Sequence, residues 1–187
     1  MDLEHCVVVL KRAGIEFESG LTAAELAAAE VRFGFRFPPD LRALLAYALP
    51  TSKSAPTWRD LENPVLIARM ALPLEDMCFD IEHNTFWPDE WGERPSDLRA
   101  AFEVARSQVA RAPKLIPVFG HRYLPDRPHS AGNPVFSVHQ TDIIYYGSDL
   151  ENYLHNEFYY YFGTPSYSLG ASITNIEFWS WLVELNE

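Results

Sequence analysis

The sequence predicts a single domain that combines α-helices with antiparallel β-strands. Its 187 residues suit one domain, and 48% of them are apolar and 14% aromatic, which is enough to fill a core. A capped helical segment lies near the N-terminal end, and two short strands flank a tight turn further along the chain. We find no internal repeat, and no stretch approaches the roughly 20 apolar residues that a membrane span needs.

The clearest element is a helix over Leu21–Gly34. Thr22 stands at its N-cap and Glu25 follows three positions later, which is the spacing of a capping box. Gly34 suits the left-handed position that ends many helices. A second helix is predicted to begin at Pro38 and Pro39, because proline is tolerated in a first helical turn. The two segments therefore predict a helical hairpin.

The segment after this hairpin is harder to interpret. Asn63–Leu72 is apolar and is compatible with either a strand or a short helix, because periodicity does not separate the two over so short a run. In Asp76–Glu82 apolar and acidic residues alternate, which predicts a half-buried strand with Met77, Phe79 and Ile81 directed inward.

Further elements are predicted towards the C-terminal end. A helix over Ser96–Ala112, capped by Ser96, is followed by a central strand over Leu115–Gly120 and by a hairpin of Pro134–Gln140 with Ile143–Gly147. The next helix begins with a capping box of Ser148 with Glu151. A C-terminal helix over residues 174–186 begins with a capping box of Thr174 with Glu177. The inner face of the last helix is predicted to comprise Ile176, Trp179, Leu182 and Val183.

Charge restricts the classes of partner. The net charge is −11 and the sequence pI is near 4.9. Nucleic acids and anionic membranes are bound through Lys and Arg, so we expect neither as a partner. An acidic surface does permit a basic protein partner. The acidic start of the chain does not resemble a signal peptide, and we expect a cytoplasmic protein.

Cysteine and histidine provide the main candidates for chemistry. Cys6 and Cys78 belong to no CxxC pair, so we expect free thiols rather than a thiolate metal site, although spacing does not exclude a disulfide. His121, His129 and His139 are clustered in sequence, yet none of the six histidines shows HxH or HxxxH spacing. We therefore expect no metal, no cofactor and no catalytic residue, and histidines that hydrogen-bond to loop backbone.

A hydrolase is the alternative from a different functional class. Asp80, Glu82, Asp89 and Glu90 include pairs of acids such as glycoside cleavage requires, and Cys78 could pair with a histidine. Such acid pairs are expected by chance in so acidic a chain. Sequence motifs of serine hydrolases, P-loop proteins and dinucleotide-binding proteins are absent.

Two segments carry a resemblance to a known family. "LTAAELAAAEVRFGFRFPPDLRALLAYA" resembles the N-terminal signature of the SUKH superfamily, the Smi/Knr-type proteins, through Leu21, Thr22, Glu30, Gly34 and the Phe37–Asp40 stretch. "LIPVFGHRYL" and "GNPVFSVHQTDIIYYGSDL" are similar to the central strand, hairpin and following helix of that family. The resemblance covers about residues 21–160 of a single domain spanning 1–187.

The resemblance implies an α+β fold in which helices flank a mainly antiparallel sheet. It also implies a protein that binds and does not catalyse. Bacterial members are commonly immunity proteins that neutralise polymorphic toxins, and fungal members are scaffolds that regulate cell-wall synthesis. We therefore expect an immunity-type protein, with a regulatory scaffold as the alternative, a protein partner such as a basic toxin domain, and no small-molecule ligand.

The predicted partner-binding residues lie in the segment "FWPDEWGE", between the predicted strand Asp76–Glu82 and the predicted helix Ser96–Ala112. Aromatic side chains dominate interface energetics, and acids beside them suit a basic partner. The residues are Phe86, Trp87, Asp89, Glu90, Trp91 and Glu93. Trp87 and Trp91 are four positions apart, so one helical turn brings them together. The alternative is that these aromatics fill the core as a plug.

Overall fold

The computed structural model describes residues 1–165 and 167–186. These residues form an α+β domain with two antiparallel sheets, as predicted. The helices are α1 (Leu3–Arg12), α2 (Ala23–Phe33), α3 (Pro39–Tyr47), α4 (Pro64–His83), α5 (Leu98–Arg111), α6 (Leu150–Glu157), α7 (Tyr159–Phe162) and α8 (Trp179–Leu185). The strands are β1 (Phe17–Ser19), β2 (Ala48–Pro50), β3 (Leu115–Phe119), β4 (Arg122–Pro125), β5 (Val135–His139) and β6 (Asp142–Gly147). Ser166 and Glu187 of the predicted 1–187 domain lie outside the described residues.

The predicted helical hairpin is confirmed by α2 and α3. The Thr22 hydroxyl accepts from the Glu25 N–H at 3.2 Å, and the Glu25 carboxylate accepts from the Thr22 N–H at 2.7 Å, so both halves of the capping box form. Gly34 ends α2 with a φ of +66°, the left-handed conformation that glycine adopts without a Cβ clash. The chain then enters α3 at Pro39, as its position in the first turn predicts.

The strand predicted over Asp76–Glu82 is wrong, because this segment belongs to the 20-residue helix α4. Met77 and Ile81, four positions apart, are buried, whereas Phe79 between them is 44% exposed. An apolar pattern of this length fits a period of 2 and a period of 3.6 equally, so the pattern alone does not separate a strand from a helix. Asn63 is the N-cap residue, after which the helix begins. Its side chain accepts from the Val65 N–H at 3.0 Å.

A proline within α4 is compensated by the sheet. Pro73 has no N–H to donate to the Arg69 carbonyl, which would leave that oxygen without its helical partner. The buried Tyr123 hydroxyl of β4 donates to this carbonyl instead, at 3.0 Å. Burial raises the pKa of Tyr123 to about 12. The bond therefore joins α4 to the sheet at the point where the helix lacks its own hydrogen bond.

The larger sheet has the strand order β3-β4-β5-β6, with antiparallel neighbours throughout. The predicted hairpin of β5 and β6 is confirmed. The prediction that Leu115–Gly120 forms a central strand is wrong, because β3 lies at the sheet edge and is paired with β4, a strand that was not among the predicted elements. Helices cover both faces of this edge strand, so its apolar character reflects burial rather than a central position.

The sheet separates two apolar clusters. Ile116, Leu124 and Val135 face one cluster, together with residues of α2, α3 and α6. Phe136 and Val138 face the other, which also contains residues of α4, α5 and α8. Val135 and Phe136 thus point to opposite faces, as strand alternation predicts.

Two of the predicted helix caps are displaced by one residue. Asp97 caps α5 in place of Ser96 and accepts from the Ala100 N–H at 2.8 Å. Asp149 caps α6 in place of Ser148 and accepts from the Asn152 N–H at 2.8 Å. In both cases a carboxylate adjacent to the predicted serine takes the cap, and its negative charge is favoured at a helix N-terminus.

The two ends of the chain also differ from the prediction. The C-terminal helix begins at Trp179 and not at Thr174, although all four residues of its predicted inner face are buried. At the other end, α1 was not predicted. Asp2 caps it by accepting from the His5 N–H at 3.1 Å, and Cys6, Val9 and Leu10 are buried on its inner side.

Candidate functional site

The predicted partner-binding residues lie in one loop between α4 and α5, here called the acidic aromatic loop (Phe86–Glu93). Its middle is a single 3-10 turn over Asp89–Trp91. The turn brings Trp87 and Trp91 together edge to face, with ring centroids 5.4 Å apart. Phe86 packs on the same Trp91 ring at 5.8 Å. The loop therefore collects all three predicted aromatic side chains in one cluster.

Hydrogen bonds fix the backbone of this loop. The Trp87 indole N–H donates to the Gly92 carbonyl at 2.8 Å and closes the turn. At the base of the loop, the Phe86 N–H donates to the Asp80 carbonyl at 3.1 Å. On the far side, the Arg94 guanidinium donates to the Ile81 carbonyl at 2.5 Å. With these anchors the loop is preorganised, so a partner that binds it has little ordering entropy to overcome.

The aromatic side chains of the loop are half-buried. Phe86, Trp87 and Trp91 pack against the cluster formed by α4, α5, α8 and the sheet, but none of them is among its fully buried members. Each ring thus packs against the core on its inner side and is accessible on its outer side. The core plug considered from sequence accounts for the inner side, and an exposed anchor remains compatible with the outer side.

The acids of the loop face solvent. Asp89, Glu90 and Glu93 are exposed, and none of their carboxylates forms an ion pair or hydrogen bond with a described residue. The nearest cation along the chain, Arg94, is engaged with the Ile81 carbonyl. Three carboxylates without an ion pair to a described residue therefore lie within five residues, beside an aromatic cluster.

A cleft of about 430 Å³ adjoins the loop, here called the Trp91 cleft. Trp91 and Glu90 form its loop side, Arg111 lies on α5, and Phe178 and Trp181 lie at the start and middle of the C-terminal segment. Aromatic walls with charged rims suit an inserted side chain of a partner protein. Because the cleft shares Trp91 with the loop, the two form one continuous surface.

One wall of the Trp91 cleft has an unusual backbone. Phe178 has a φ of +71° and ψ of −53°, and the Trp179 N–H donates to the Glu177 carbonyl at 2.9 Å, which defines a strained γ-turn. Its neighbours hold it in place. The Trp179 indole N–H donates to the Pro113 carbonyl at 2.6 Å, and the Ser180 hydroxyl accepts from the Ile176 N–H at 2.7 Å. The turn orients Phe178 towards the cleft without support from a regular helix.

The three clustered histidines lie apart from this surface. His121 lies in the turn between β3 and β4, and burial, followed by the charges of Arg122 and His139, lowers its pKa. His129 places Nε2 3.1 Å from the Phe37 carbonyl, which is the loop-backbone hydrogen bond that was expected. Within residues 1–165 and 167–186, no group of three or more His, Cys, Asp or Glu side chains is arranged to hold a metal ion.

The acids considered for a hydrolase have different environments. The buried Asp80 carboxylate accepts from the Asn84 amide at 2.5 Å and from the N–H and hydroxyl of Thr141 at 2.8 and 2.6 Å. Its Oδ2 thus holds the β5–β6 turn against α4, and its Oδ1 binds Asn84 at the end of the same helix. Glu82 is exposed on another side of the helix. Cys78 is half-buried in α4, where burial raises its thiol pKa, and it lies on a helix and not on the strand predicted over Asp76–Glu82.

Sequence reasoning missed a large concave feature of the described residues. A groove of about 1130 Å³ runs between α4 and α5 and is lined by side chains from both helices. The relevant signal is the spacing of Ile67, Met70, Leu74 and Cys78, which is helical. It was obscured because the second half of α4 was interpreted as a strand.

No family model matches this chain, and no curated protein or solved structure is significantly similar to it. The resemblance to the SUKH superfamily therefore depends on the motifs quoted above. Within the described residues, none of the helices is both long enough and apolar enough to cross a membrane.

Proposed function

We propose that this protein is a non-catalytic, cytoplasmic, SUKH-like immunity protein that binds and neutralises a polymorphic bacterial toxin. The observation that carries the proposal is the acidic aromatic loop, a preorganised turn with three unpaired carboxylates next to the Trp91 cleft. The partner expected at this surface is a basic toxin domain. The α+β architecture and the capped α2–α3 hairpin support the family resemblance.

The charges and the aromatics of the loop contribute in different ways. Exposed carboxylates such as Asp89 and Glu90 attract a basic partner over several ångströms and increase the association rate more than the final affinity. The half-buried rings of Trp87 and Trp91 provide apolar area that the partner completes, which is where interface free energy concentrates. A toxin nuclease, whose own site is basic because it binds phosphates, has the complementary charge.

The decisive experiment combines a growth assay with a binding assay. The toxin whose gene adjoins this one is expressed with and without the protein, and we expect growth to be rescued and a one-to-one complex to be isolated. Full toxin activity in the presence of excess protein would reject an immunity function. Weak binding to several unrelated partners would favour a regulatory scaffold, and turnover of a substrate would favour a hydrolase.

Substitutions in the loop locate the interface. We expect Trp87→Ala and Trp91→Ala each to weaken the toxin complex by at least about 2 kcal/mol, as hot-spot residues do. The matched control is Tyr160→Ala, which removes an aromatic side chain that is 79% exposed on α7, away from the loop. Calorimetric titration of each folded variant provides the measurement. Equal affinity of the wild type and both tryptophan variants would place the interface elsewhere.

Charge substitutions test the steering role separately. In D89N/E90Q/E93Q we expect the association rate at low salt to decrease by about tenfold, with a smaller change in the dissociation rate. The control E4Q/E16Q/D142N removes the same number of exposed acids from other parts of the surface. Stopped-flow mixing at two salt concentrations distinguishes local steering from an effect of net charge, which would slow both variants equally.

A further inference from the structure

The groove between α4 and α5 is lined by one face of each helix. On α4 the lining residues follow a helical stripe that includes Ile67, Met70, Leu74 and Cys78. On α5 the corresponding stripe includes Phe102 and Val109. The buried Pro73 also borders the groove, at the point where Tyr123 replaces its missing hydrogen bond. Two parallel rows of apolar side chains thus form a trough along both helices.

The apolar side chains of this trough are only partly covered. Phe79 is 44% exposed and Ile67 is 38% exposed, while Met70, Leu74 and Phe102 are half-buried. An apolar stripe on a helix is normally covered by another element of the fold. A continuous exposed apolar surface of this kind marks a site of interaction.

The charges along the groove are unequally compensated. Arg32 pairs with Glu62 at 2.9 Å and Arg106 with Glu103 at 2.7 Å, whereas the Lys114 ammonium donates to the neutral Phe33 carbonyl at 2.7 Å. The two remaining acids lie on the α4 side and are Glu75 and Glu82.

Both of these acids are exposed and lack a cationic partner of fixed charge among the described residues. Among the described residues, the one ion-pair contact of Glu82 is with His83, whose Nδ1 lies 4.0 Å away and is itself 3.0 Å from the Phe79 carbonyl. Glu75 forms no ion pair or hydrogen bond with a described residue. Glu75 and Glu82 are seven positions apart on one helix face, which places them about 10 Å apart along the axis.

We propose that this groove binds an amphipathic α-helix of a partner protein, with an apolar stripe and two basic residues seven positions apart. Two helix faces with an apolar floor are the geometry in which a third helix packs, as in other helix-in-groove complexes. The lining from Ile67 to Glu82 spans about 22 Å, the length of a helix of about 15 residues. Because Glu75 and Glu82 lack a partner of fixed positive charge among the described residues, a helix that places basic side chains opposite them is favoured.

This site is distinct from the acidic aromatic loop and the Trp91 cleft. The residues that line the groove include none of the loop residues, so binding at one surface is separable from binding at the other. The groove proposal does not depend on the immunity function, and a scaffold or an enzyme could use the same groove to recruit a partner helix.

The test uses two fluorescent helical peptides of 16 residues with the same leucine stripe. One carries lysine and the other glutamate at two flanking positions seven residues apart. We expect the lysine peptide to bind the wild-type protein at least about tenfold more tightly than the glutamate peptide in fluorescence anisotropy. A scrambled lysine peptide, which has the same charge but no stripe, should bind no better than the glutamate peptide.

Charge reversal in the protein identifies the surface. We expect E75K/E82K to lose the preference for the lysine peptide and to prefer the glutamate peptide. The matched control is E4K/E16K, which changes the net charge equally but replaces exposed acids that do not line the groove. If both variants lose the same affinity, binding is a general effect of net charge and the proposal is wrong.

The groove also contains its own reporter. Cys78 lines the groove and is half-buried, whereas the other cysteine, Cys6, is 1% exposed. We expect a saturating concentration of the lysine peptide to slow alkylation of Cys78 by at least about tenfold, because a helix in the groove covers the thiol. An unchanged alkylation rate with bound peptide overturns the proposal.

Two further measurements separate other occupants from a partner helix. Phe79→Ser removes an exposed apolar contact and should weaken peptide binding, so unchanged affinity in this variant contradicts a packed helix. Sedimentation equilibrium tests whether a second copy of the chain fills the groove. A wild-type dimer that E75K/E82K converts to a monomer would assign the groove to self-association and overturn the proposal.

Discussion

Two aromatic clusters of this molecule both consist of Phe and Trp side chains, but they differ in how far these side chains are buried. The first surrounds Trp58, which is 1% exposed, and the rings that contact it edge to face at 5.1 to 6.1 Å are Phe33, Phe35 and Phe37. The second is the acidic aromatic loop, where Trp87 and Trp91 are half-buried. The first cluster therefore contributes to the core, and the second contributes to both the core and the surface.

The acids near the two clusters differ in the same way. Next to Trp58, Arg59 donates to Glu18 at 2.6 Å and to Glu25 at 2.9 Å, so both carboxylates are used within the fold. In the acidic aromatic loop, Asp89 and Glu90 have no such partner among the described residues. Composition alone does not distinguish a structural aromatic cluster from a binding one. The two clusters of this molecule differ in whether the neighbouring acids are paired within the described residues.

The largest effect expected from this comparison is on stability. We expect Trp58→Ala to lower the free energy of unfolding by about 3–5 kcal/mol, because it leaves a cavity among packed aromatic rings. Trp87→Ala removes a half-exposed ring and should cost less than about 2 kcal/mol. Urea unfolding followed by far-UV circular dichroism gives both values without relying on tryptophan emission. Equal losses in the two variants would contradict the difference in their roles.

The second effect concerns the support beneath the acidic aromatic loop. Asp80→Ala leaves the half-buried Thr141 N–H and hydroxyl and the Asn84 amide without their acceptor, and we expect a loss of about 1–3 kcal/mol. Asp89→Ala removes an exposed, unpaired carboxylate and should change stability by less than about 0.5 kcal/mol.

Hydrogen exchange distinguishes this local mechanism from general destabilisation. Relative to the wild type, the Asp80→Ala substitution should increase the exchange rate of the Thr141 amide more than the exchange rates of the amides of the α2–α3 hairpin. This hairpin lies on the other side of the sheet. In Asp89→Ala the Thr141 amide should exchange as in the wild type. Uniform acceleration across the Asp80→Ala variant would show that Asp80 supports the whole fold and not the β5–β6 turn.

The sequence is most informative where local hydrogen bonds determine the structure. The capping box of Thr22 with Glu25 and the left-handed Gly34 are satisfied within a few residues, and the structure confirms them. Asp76–Glu82 is the opposite case, since the burial of Met77 and Ile81 and the exposure of Phe79 depend on which elements pack nearby. Tertiary contacts, which an apolar pattern does not specify, decide such segments.

The two candidate surfaces differ for the same reason. The acidic aromatic loop is contiguous in sequence, so Trp87 and Trp91 could be associated from their spacing alone. The groove requires α4 to be a continuous helix and α5 to lie beside it. A strand over Asp76–Glu82 separates Cys78 and Phe79 from Leu74, so the helical stripe of these three residues is not visible under that prediction.

The smallest effect is the pH dependence of the Trp58 side of the molecule. Hydrogen bonds from the Thr22 N–H and hydroxyl, and then from Arg59, lower the pKa of Glu25 from an ordinary 4.5 to about 2. Because the folded pKa lies below the unfolded one, the stabilisation from ionised Glu25 is complete above about pH 4.5 and is lost as the pH falls towards 2. E25Q retains an acceptor for the Thr22 N–H but has no charge, so the stability difference between wild type and E25Q should shrink over this range.

The control is E90Q, which removes an unpaired carboxylate from the acidic aromatic loop and should follow the wild type in urea unfolding at each pH. A difference between wild type and E25Q that stays constant from pH 5 to pH 2.5 would show that the charge of Glu25 does not stabilise the fold, and the contrast between paired and unpaired acids would then not extend to stability.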